Sequence, residues 1–411
     1  MSASETTGSE AVEPDSAGAQ EAGSKCGHRV AKFFRSRPVE ASSTFVVFVA
    51  LFVVYAVWLG DRFLNVDARL LDIHQNVPLF LLGLAAMVTL ITGVFDLSIA
   101  SMAALAAYLV IGLPTNQGLP FPLAVVICLL FGVAGGLLNG FLVELLRVNP
   151  FIVTLGTGGI FVGISIIYGN GGYVIPGEGK ASLPTWFTFL GNFGHKCPWW
   201  ALTIMSVAVA LTVISALASL KPSSWTSRRW LAARFGIVGT AALILVFALD
   251  FPSKIAKTSW LVAVLIAAAL AMWLLMQFTT SGRYLKATGA NREAARLAGV
   301  NVRRETIRAF VISGLLAALA GIMLGAIQGS AAPQVGTSFL LPAFAAAFVS
   351  TVVFSTGHFT VWGTIVGGIF IVWVNQGLII GGLPVTWTEV VNGAVLITVV
   401  ALSRIMRRGT G

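Results

Sequence analysis

The chain has 411 residues, of which 57% are hydrophobic and only 10% are charged. This composition leaves too little polar surface to cover a water-soluble globule, so it excludes a soluble domain and makes lipid the solvent. The net charge of +10 comes from short segments between apolar runs rather than from one soluble face, so it does not indicate a nucleic-acid partner.

The first 40 residues predict a disordered cytoplasmic tail. Residues 1–24 are rich in Ser, Ala, Gly and Glu and cannot bury enough apolar area to offset chain entropy. A basic cluster then precedes a long apolar run that has no small-residue cleavage site. The cluster comprises Lys25, Arg29, Lys32, Arg35 and Arg37. We therefore expect a retained first span, a membrane domain over residues 41–405 and a cytoplasmic tail over 406–411.

Apolar runs recur along the rest of the chain. A helix needs about 17 to 25 apolar residues to cross the hydrocarbon core, and on this basis the sequence predicts an all-α, polytopic protein with about 10–12 transmembrane helices. The runs cover residues 44–60, 77–93, 97–113, 122–146, 151–168, 200–218, 235–250, 258–278, 307–327, 340–355, 361–380 and 385–402. The third and the tenth abut polar or glycine-rich interruptions, so each is either a full span or a broken, re-entrant helix.

The basic residues are unevenly distributed among the segments that connect these runs. With the N-terminus inside and the spans alternating, most of the 26 Lys and Arg residues fall in cytoplasmic segments, as the positive-inside rule requires. The opposite orientation inverts this ratio. The sequence therefore predicts that both termini are cytoplasmic.

The longest cytoplasmic connection predicted from this topology is residues 279–306. Small residues and charges lie between two glycines there, which predicts a short surface helix. Glu293 and Arg296 are expected to pair on its polar side, and Gly299 to end it. An apolar stripe is expected on its other side, formed by Ala294, Ala295, Leu297 and Ala298. The segment is either a docking surface for another protein or a basic connector.

Two acidic residues lie close to the predicted spans. A carboxylate in hydrocarbon costs roughly 2.5–3.5 kcal/mol on insertion scales, so it is rarely incidental. Asp96 follows Gly93 at a break between two apolar runs, where it either caps the helix that begins near Leu97 or lies in a transport path. Glu144 is close to Arg147 and is expected at the inner membrane boundary.

Polar and aromatic side chains in the spans suit a neutral solute with many hydroxyl groups, although amides between helices are also common packing devices. The candidates for a translocation path are Asp96, Asn139, Phe151, Thr154, Asn170 and Asn375.

Sequence motifs of catalysis and nucleotide hydrolysis are absent. The chain contains no GxxxxGK[ST] phosphate loop, no HExxH and no G-x-S-x-G elbow. Cys26, Cys128 and Cys197 show neither a disulfide framework nor metal-ligand spacing. The sequence therefore predicts no catalytic residue, no metal site and no cofactor bound by this chain. A transporter energised by ATP would need a separate ATPase.

Three stretches resemble the permease subunits of bacterial ABC importers for ribose, xylose and related simple sugars. They are TGVFDLSIASMAALAAYL near residue 93, GGLLNGFLVELLRVNPFIVTLGTGGIFVGISIIYGNG from residue 135 and GRYLKATGANREAARLAGVNVRR from residue 282. The similarity runs from about residue 44 to the end of the chain. It implies a permease fold like that of type II ABC importers in the bacterial inner membrane, and transport by alternating access.

The third stretch resembles the cytoplasmic coupling helix of that family, which docks into the ATPase subunit. The positions that match are Gly289, Asn291, Glu293, Ala294, Ala295, Arg296, Leu297 and Gly299. The resemblance further implies a partner ATPase that uses ATP with Mg²⁺, a periplasmic or lipid-anchored sugar-binding protein, and a second permease copy or paralogue.

The solute is less closely defined by the sequence. An insertion around residues 221–234 resembles the xylose-type members, whereas VSTVVFSTGHFTVWGT at 349–364 departs from the glycine-rich segment common in the family. Two alternatives stay open, namely a permease for another small solute such as a branched-chain amino acid, and a carrier that works without an ATPase. Against the second alternative, proton relays usually require several intramembrane ionisable groups.

Overall fold

A computed structural model describes residues 49–177, 182–196, 258–332, 334–353 and 358–408. These residues form helices joined by short connections, with isolated β-bridges between Val174 and Ala331 and between Lys196 and Ser259. The helices are α1 Val49–Leu59, α2 Asp61–Leu64, α3 Val66–Gln75, α4 Val77–Ile91, α5 Ile99–Gln117, α6 Phe121–Glu144, α7 Pro150–Tyr168, α8 Thr185–Gly191, α9 Trp260–Phe278, α10 Thr280–Ala290, α11 Arg292–Leu297, α12 Val302–Gln328, α13 Leu340–Val353, α14 Val361–Ile380 and α15 Thr388–Arg408.

The predicted spans that fall within the described residues coincide with helices. Six described helices, α5, α6, α7, α9, α12 and α14, are long and apolar enough to cross a membrane, and α3 with α4 gives a seventh span if this pair, bent by 53°, crosses as one. The all-α, multi-pass fold is thereby confirmed. The predicted spans at 200–218 and 235–250, and the predicted tail over 1–40, lie outside the described residues.

The two spans predicted as least secure differ from the others in the structure. The helix expected from residue 97 begins at Ile99, after a non-helical break at residues 92–98. The helix expected at 340–355 is described over Leu340–Val353 and follows a 3₁₀ turn at Thr337–Phe339. At the C-terminus, α15 continues to Arg408, so the helix extends into the segment expected to be a tail.

Helices α4, α5 and α12 form the centre of the bundle. Residues Val77 to Leu90 of α4 are buried on every side, and 78% of the span in α5 and 72% of that in α12 are buried, against 33% in α6 and α7. The hydrophobic pattern of α6 and α7 thus leaves large apolar faces exposed, as helices that face lipid require.

Small residues let α12 contact α6 backbone to backbone. A Cβ atom added to Gly132 would lie 2.4 Å from the carbonyl oxygen of Gly314, and one added to Gly136 would lie 2.3 Å from that of Phe310. Glycine at these positions is therefore required for the observed packing, as is usual where helices associate in lipid by close van der Waals contact.

One end of the bundle holds the break at 92–98, the α6–α7 turn at 145–149 and residues 279–306. We call it the arginine-rich end. The opposite end holds α2, α3, α8 and the connections after α7 and α12.

Candidate functional site: a polar network and the segment that covers it

A fully buried carboxylate lies in the break between α4 and α5. Gly93 has a φ of +83°, which turns the chain out of α4. Asp96 Oδ1 then accepts hydrogen bonds from the Ser98 amide at 3.1 Å and the Ser98 hydroxyl at 2.6 Å. Its Oδ2 accepts from the Ser313 hydroxyl of α12 at 3.0 Å. The expected capping role is thus modified, because α5 begins at Ile99 and Asp96 binds the residue before the helix.

The hydrogen bonds continue from Ser98 to two further helices. Asn139 of α6 donates its amide to the Ser98 hydroxyl at 2.8 Å, and its carbonyl oxygen accepts from Thr157 of α7, also at 2.8 Å. We call Asp96, Ser98, Asn139, Thr157 and Ser313 the Asp96 network. Four of these residues have no exposed surface, and Thr157 is 4% exposed.

The Asp96 network joins the break to α6, α7 and α12. Each carboxylate oxygen and each hydroxyl has a partner, so the network fixes these four elements in one arrangement. No Lys, Arg or His within the described ranges forms an ion pair with Asp96. A solute would have to displace one of these hydrogen bonds to reach the carboxylate.

The six path candidates do not meet at one point. Asp96 and Asn139 are joined through Ser98, and the hydroxyl of Thr154, also buried, is bound to the Pro150 carbonyl at 2.8 Å. Phe151 is 54% exposed at the start of α7.

The other two candidates lie elsewhere in the bundle. Asn170 is exposed beyond the far end of α7, with a φ of +50°. Asn375 of α14 donates to Asn392 of α15 at 2.9 Å. Their proposed contact with solute stays a prediction.

Ser98, Thr157 and Ser313 were not singled out from the sequence. Hydroxyl residues are frequent in spanning helices, where they usually bind the preceding turn of their own helix, and only the fold shows that these three converge.

The segment 279–306 contains two short helices, α10 and α11, and the start of α12, instead of the single short helix expected. Asn291 caps α11 by accepting from the Ala294 amide at 3.0 Å. Glu293 and Arg296 pair at 2.7 Å, and Gly299 has a φ of +83°, both as predicted.

The predicted apolar stripe lies mainly on the exposed side of this segment. Only Ala295 is buried, whereas Ala294 and Ala298 are exposed and Leu297 is 80% exposed. Ala294, Leu297 and Ala298 are three or four residues apart and share this exposed face, whereas Ala295 alone points toward the bundle.

Two contacts attach this segment to the spans. A Cβ atom added to Gly289 of α10 would lie 1.6 Å from the Ile91 carbonyl oxygen at the end of α4. Arg292 binds both carboxylate oxygens of Glu144 at 2.5 Å, and the Glu144 side chain is only 4% exposed. Glu144 therefore pairs with α11 and not with Arg147. Leu285 and Thr288 of α10 are buried, so this side of the helix lies against the bundle, and desolvation lowers the pKa of Lys286.

Among the residues described, no group of three or more His, Cys, Asp or Glu side chains is arranged to hold a metal ion.

The bundle of apolar spans, the buried polar break and the basic segment attached to two spans define a subunit of a membrane transport system. The chain belongs to the family of branched-chain amino acid transport system permease components, whose family model matches residues 73–400. It is a transporter permease subunit and not itself an enzyme. The resemblance to permeases of ABC importers for simple sugars is confirmed, and this family works with ATPase and substrate-binding partners.

Known relatives are similar over most of their length. The chain is 29% identical to the autoinducer 2 import system permease protein LsrC of Enterobacter sp. (strain 638), over 89% of this chain and 87% of that protein. It is 28% identical to LsrC of Photorhabdus luminescens, over 78% and 77%. It is 25% identical to the permease protein LsrD of Salmonella paratyphi B, over 83% and 85%. No solved structure matches the chain.

Proposed function

We propose that the chain translocates a monosaccharide, of the xylose or ribose type, across the bacterial inner membrane into the cytoplasm. The observation that carries this proposal is the similarity along most of the chain to permeases named for autoinducer 2 import. The sugar-permease motifs at residues 92–109, 135–171 and 282–304 support the same solute class.

The orientation follows from charge. Arg283, Arg292, Arg296, Arg303 and Arg304 lie at the arginine-rich end, so the positive-inside rule places that end in the cytoplasm. Both termini are then cytoplasmic as well. The opposite end, with α3 and α8, faces the binding protein.

The energy for transport comes from a partner. The chain has no phosphate loop, so a separate ATPase would hydrolyse ATP with Mg²⁺ and dock on α11. A second copy of the permease, or a paralogue, would complete the pore. Gly289 and the Glu144–Arg292 pair would carry movement of α10 and α11 into α4 and α6.

The family description favours a second candidate solute, a branched-chain amino acid. Such a solute carries a carboxylate and an ammonium group, whereas a sugar is neutral. Asp96 is the only acidic side chain of the Asp96 network, and its oxygens already have donors, which favours the neutral solute.

The test is ATP hydrolysis by the complex in nanodiscs. The permease, the ATPase and the binding protein from one gene cluster would be assembled, and a panel of pentoses, other sugars and branched-chain amino acids added. Stimulation by one sugar with its binding protein supports the proposal and identifies the solute. Stimulation by leucine, isoleucine or valine alone supports the second candidate. If no ATPase associates with the permease, a carrier that needs no ATPase is the better account.

A further inference from the structure

A cleft of about 560 Å³ opens at the arginine-rich end, between α11 and the α6–α7 turn. This volume is within the range of about 300–1,000 Å³ that is usual for ligand pockets. Its apolar lining comes from Val94, Val143, Val148, Pro150 and Val302. Val94 belongs to the break, two residues before Asp96, so an occupant of the cleft touches the same segment as the Asp96 network.

The polar lining of the cleft has an excess of positive charge. Arg292 is paired with Glu144, and Arg296 with Glu293. The two other lining arginines, Arg147 and Arg303, form no ion pair with any residue that the structure describes. Two cationic side chains thus face a cleft in which both lining acids, Glu144 and Glu293, are paired with other arginines.

The backbone at Arg147 is held in an unusual conformation. Its φ is +55°, in the left-handed region that favours glycine or asparagine. Such a conformation costs of order 1–3 kcal/mol and persists where the surroundings impose it, often at binding sites. Here it ends α6 and places the arginine in the cleft wall.

We propose that this cleft receives an acidic segment of the ATPase, so that the partner docks on the α6–α7 turn as well as on α11. This inference rests on the proposed function, because it requires an ATPase partner. The occupant needs carboxylates for Arg147 and Arg303 and apolar side chains for the valine-lined floor. By contacting Val94, it would act directly on the break between α4 and α5.

The surroundings of the cleft favour a protein over a lipid headgroup. One wall is α11, where the side chains of Arg296 and Glu293 are 70% and 64% exposed. Charges of both signs on an exposed surface match a complementary protein surface, whereas Glu293 would repel an anionic phospholipid. Leu297 follows on the same helix and is 80% exposed, which adds an apolar anchor for a protein partner.

The experiment uses the full-length permease in nanodiscs and the purified ATPase from the same gene cluster. Arg303→Glu is compared with Arg304→Glu, which makes the same charge change at the next residue, exposed but outside the cleft lining. We expect Arg303→Glu to weaken ATPase binding by at least tenfold and Arg304→Glu by less than threefold. Arg147→Gly, which relieves the backbone while removing the charge, should also weaken binding without loss of fold.

The alternatives give different results. Equal losses in the two glutamate variants, or unchanged binding by Arg303→Glu and Arg147→Gly, would overturn the proposal. Nanodiscs of phosphatidylcholine alone and with phosphatidylglycerol separate a protein site from a lipid site. An effect of Arg303→Glu that appears only with phosphatidylglycerol assigns the cleft to lipid and overturns the proposal. If the unaltered permease binds no ATPase, the proposed function itself fails, and the proposed docking fails with it.

Discussion

Asp96 combines full burial with hydrogen bonds to both carboxylate oxygens. A carboxylate that binds solute has to present at least one oxygen to it, whereas both oxygens of a structural carboxylate accept hydrogen bonds from the protein. In the conformation described, the hydrogen bonds from Ser98 and Ser313 make Asp96 a structural carboxylate.

Replacing Asp96 by alanine is therefore expected to destabilise the permease. The hydroxyls of Ser98 and Ser313 lose their acceptor, and such a loss costs about 1–3 kcal/mol. Asp96→Asn should cost less, because the amide oxygen still accepts from Ser98 and the Ser313 hydroxyl can turn to accept from the amide nitrogen. Thermal unfolding of both variants in detergent measures the difference. Unchanged stability with lost solute-stimulated ATP hydrolysis would instead assign Asp96 to the solute.

Two arginines of the short helix α11 differ in the burial of the carboxylate with which each one pairs. Arg292 pairs with a carboxylate that is 4% exposed, and Arg296 with one that is 64% exposed. An ion pair on the surface contributes about 0–1 kcal/mol to stability. Removing the partner of a buried acid destabilises the protein more, because an unpaired charge is left in the interior.

Arg292→Ala should thus destabilise the permease more than Arg296→Ala does. We expect about 1–3 kcal/mol for Arg292→Ala, lowered by the half-exposure of its guanidinium, and under about 1 kcal/mol for Arg296→Ala. Thermal unfolding of the two variants is the measurement, and the double variant Glu144→Arg with Arg292→Glu tests whether the pair itself is responsible. Equal effects of the two alanine variants would show that the Glu144 contact contributes nothing special.

Gly289 is the point where α10 touches α4. An added methyl group overlaps the Ile91 carbonyl, which is backbone and cannot rotate away, so Gly289→Ala must lift α10 from the bundle. We expect the ATPase still to bind, because α11 stays exposed, and solute-stimulated hydrolysis to fall at least tenfold. Gly393→Ala is the matched control, since its added methyl group meets nothing within 4 Å. If solute stimulates ATP hydrolysis normally in Gly289→Ala, the contact of α10 with α4 does not transmit movement.

At the scale of the whole molecule, hydropathy and length located the uninterrupted spans among the residues that the structure describes. The positions of α6, α7 and α14 agree with the sequence prediction because each is an uninterrupted apolar run, and only a helix satisfies its backbone in lipid. The side of α11 that is buried was not predictable from the sequence, because contacts with other elements, such as that of Glu144 with Arg292, decide it.

The candidate site was only partly predictable for the same reason. Gly93 and Asp96 mark the break in the sequence itself. Asn139, Thr157 and Ser313 belong to three other helices, and nothing in their local sequence shows that they converge.

Labelling from the two sides of the membrane tests the topology. In a variant in which Cys26, Cys128 and Cys197 are replaced by alanine, Tyr173→Cys and Leu297→Cys would introduce single thiols. Both positions are well exposed, at 69% and 80%, and they lie at opposite ends of the bundle. A membrane-impermeant maleimide should label Tyr173→Cys in intact cells and Leu297→Cys only after permeabilisation. The reverse pattern would place the arginine-rich end outside.

The backbone contact between Gly132 and Gly314 limits which parts of the bundle are free to move. The groups of α12 nearest to Gly132 are the Gly314 carbonyl and the Ala318 methyl group, and neither has a rotamer that could absorb a shift of one helix against the other. Helices α6 and α12 are therefore expected to move together as one rigid body. Opening and closing of the transport path then has to change the connections around this rigid body. The seven non-helical residues between α4 and α5 form the connection that contacts it.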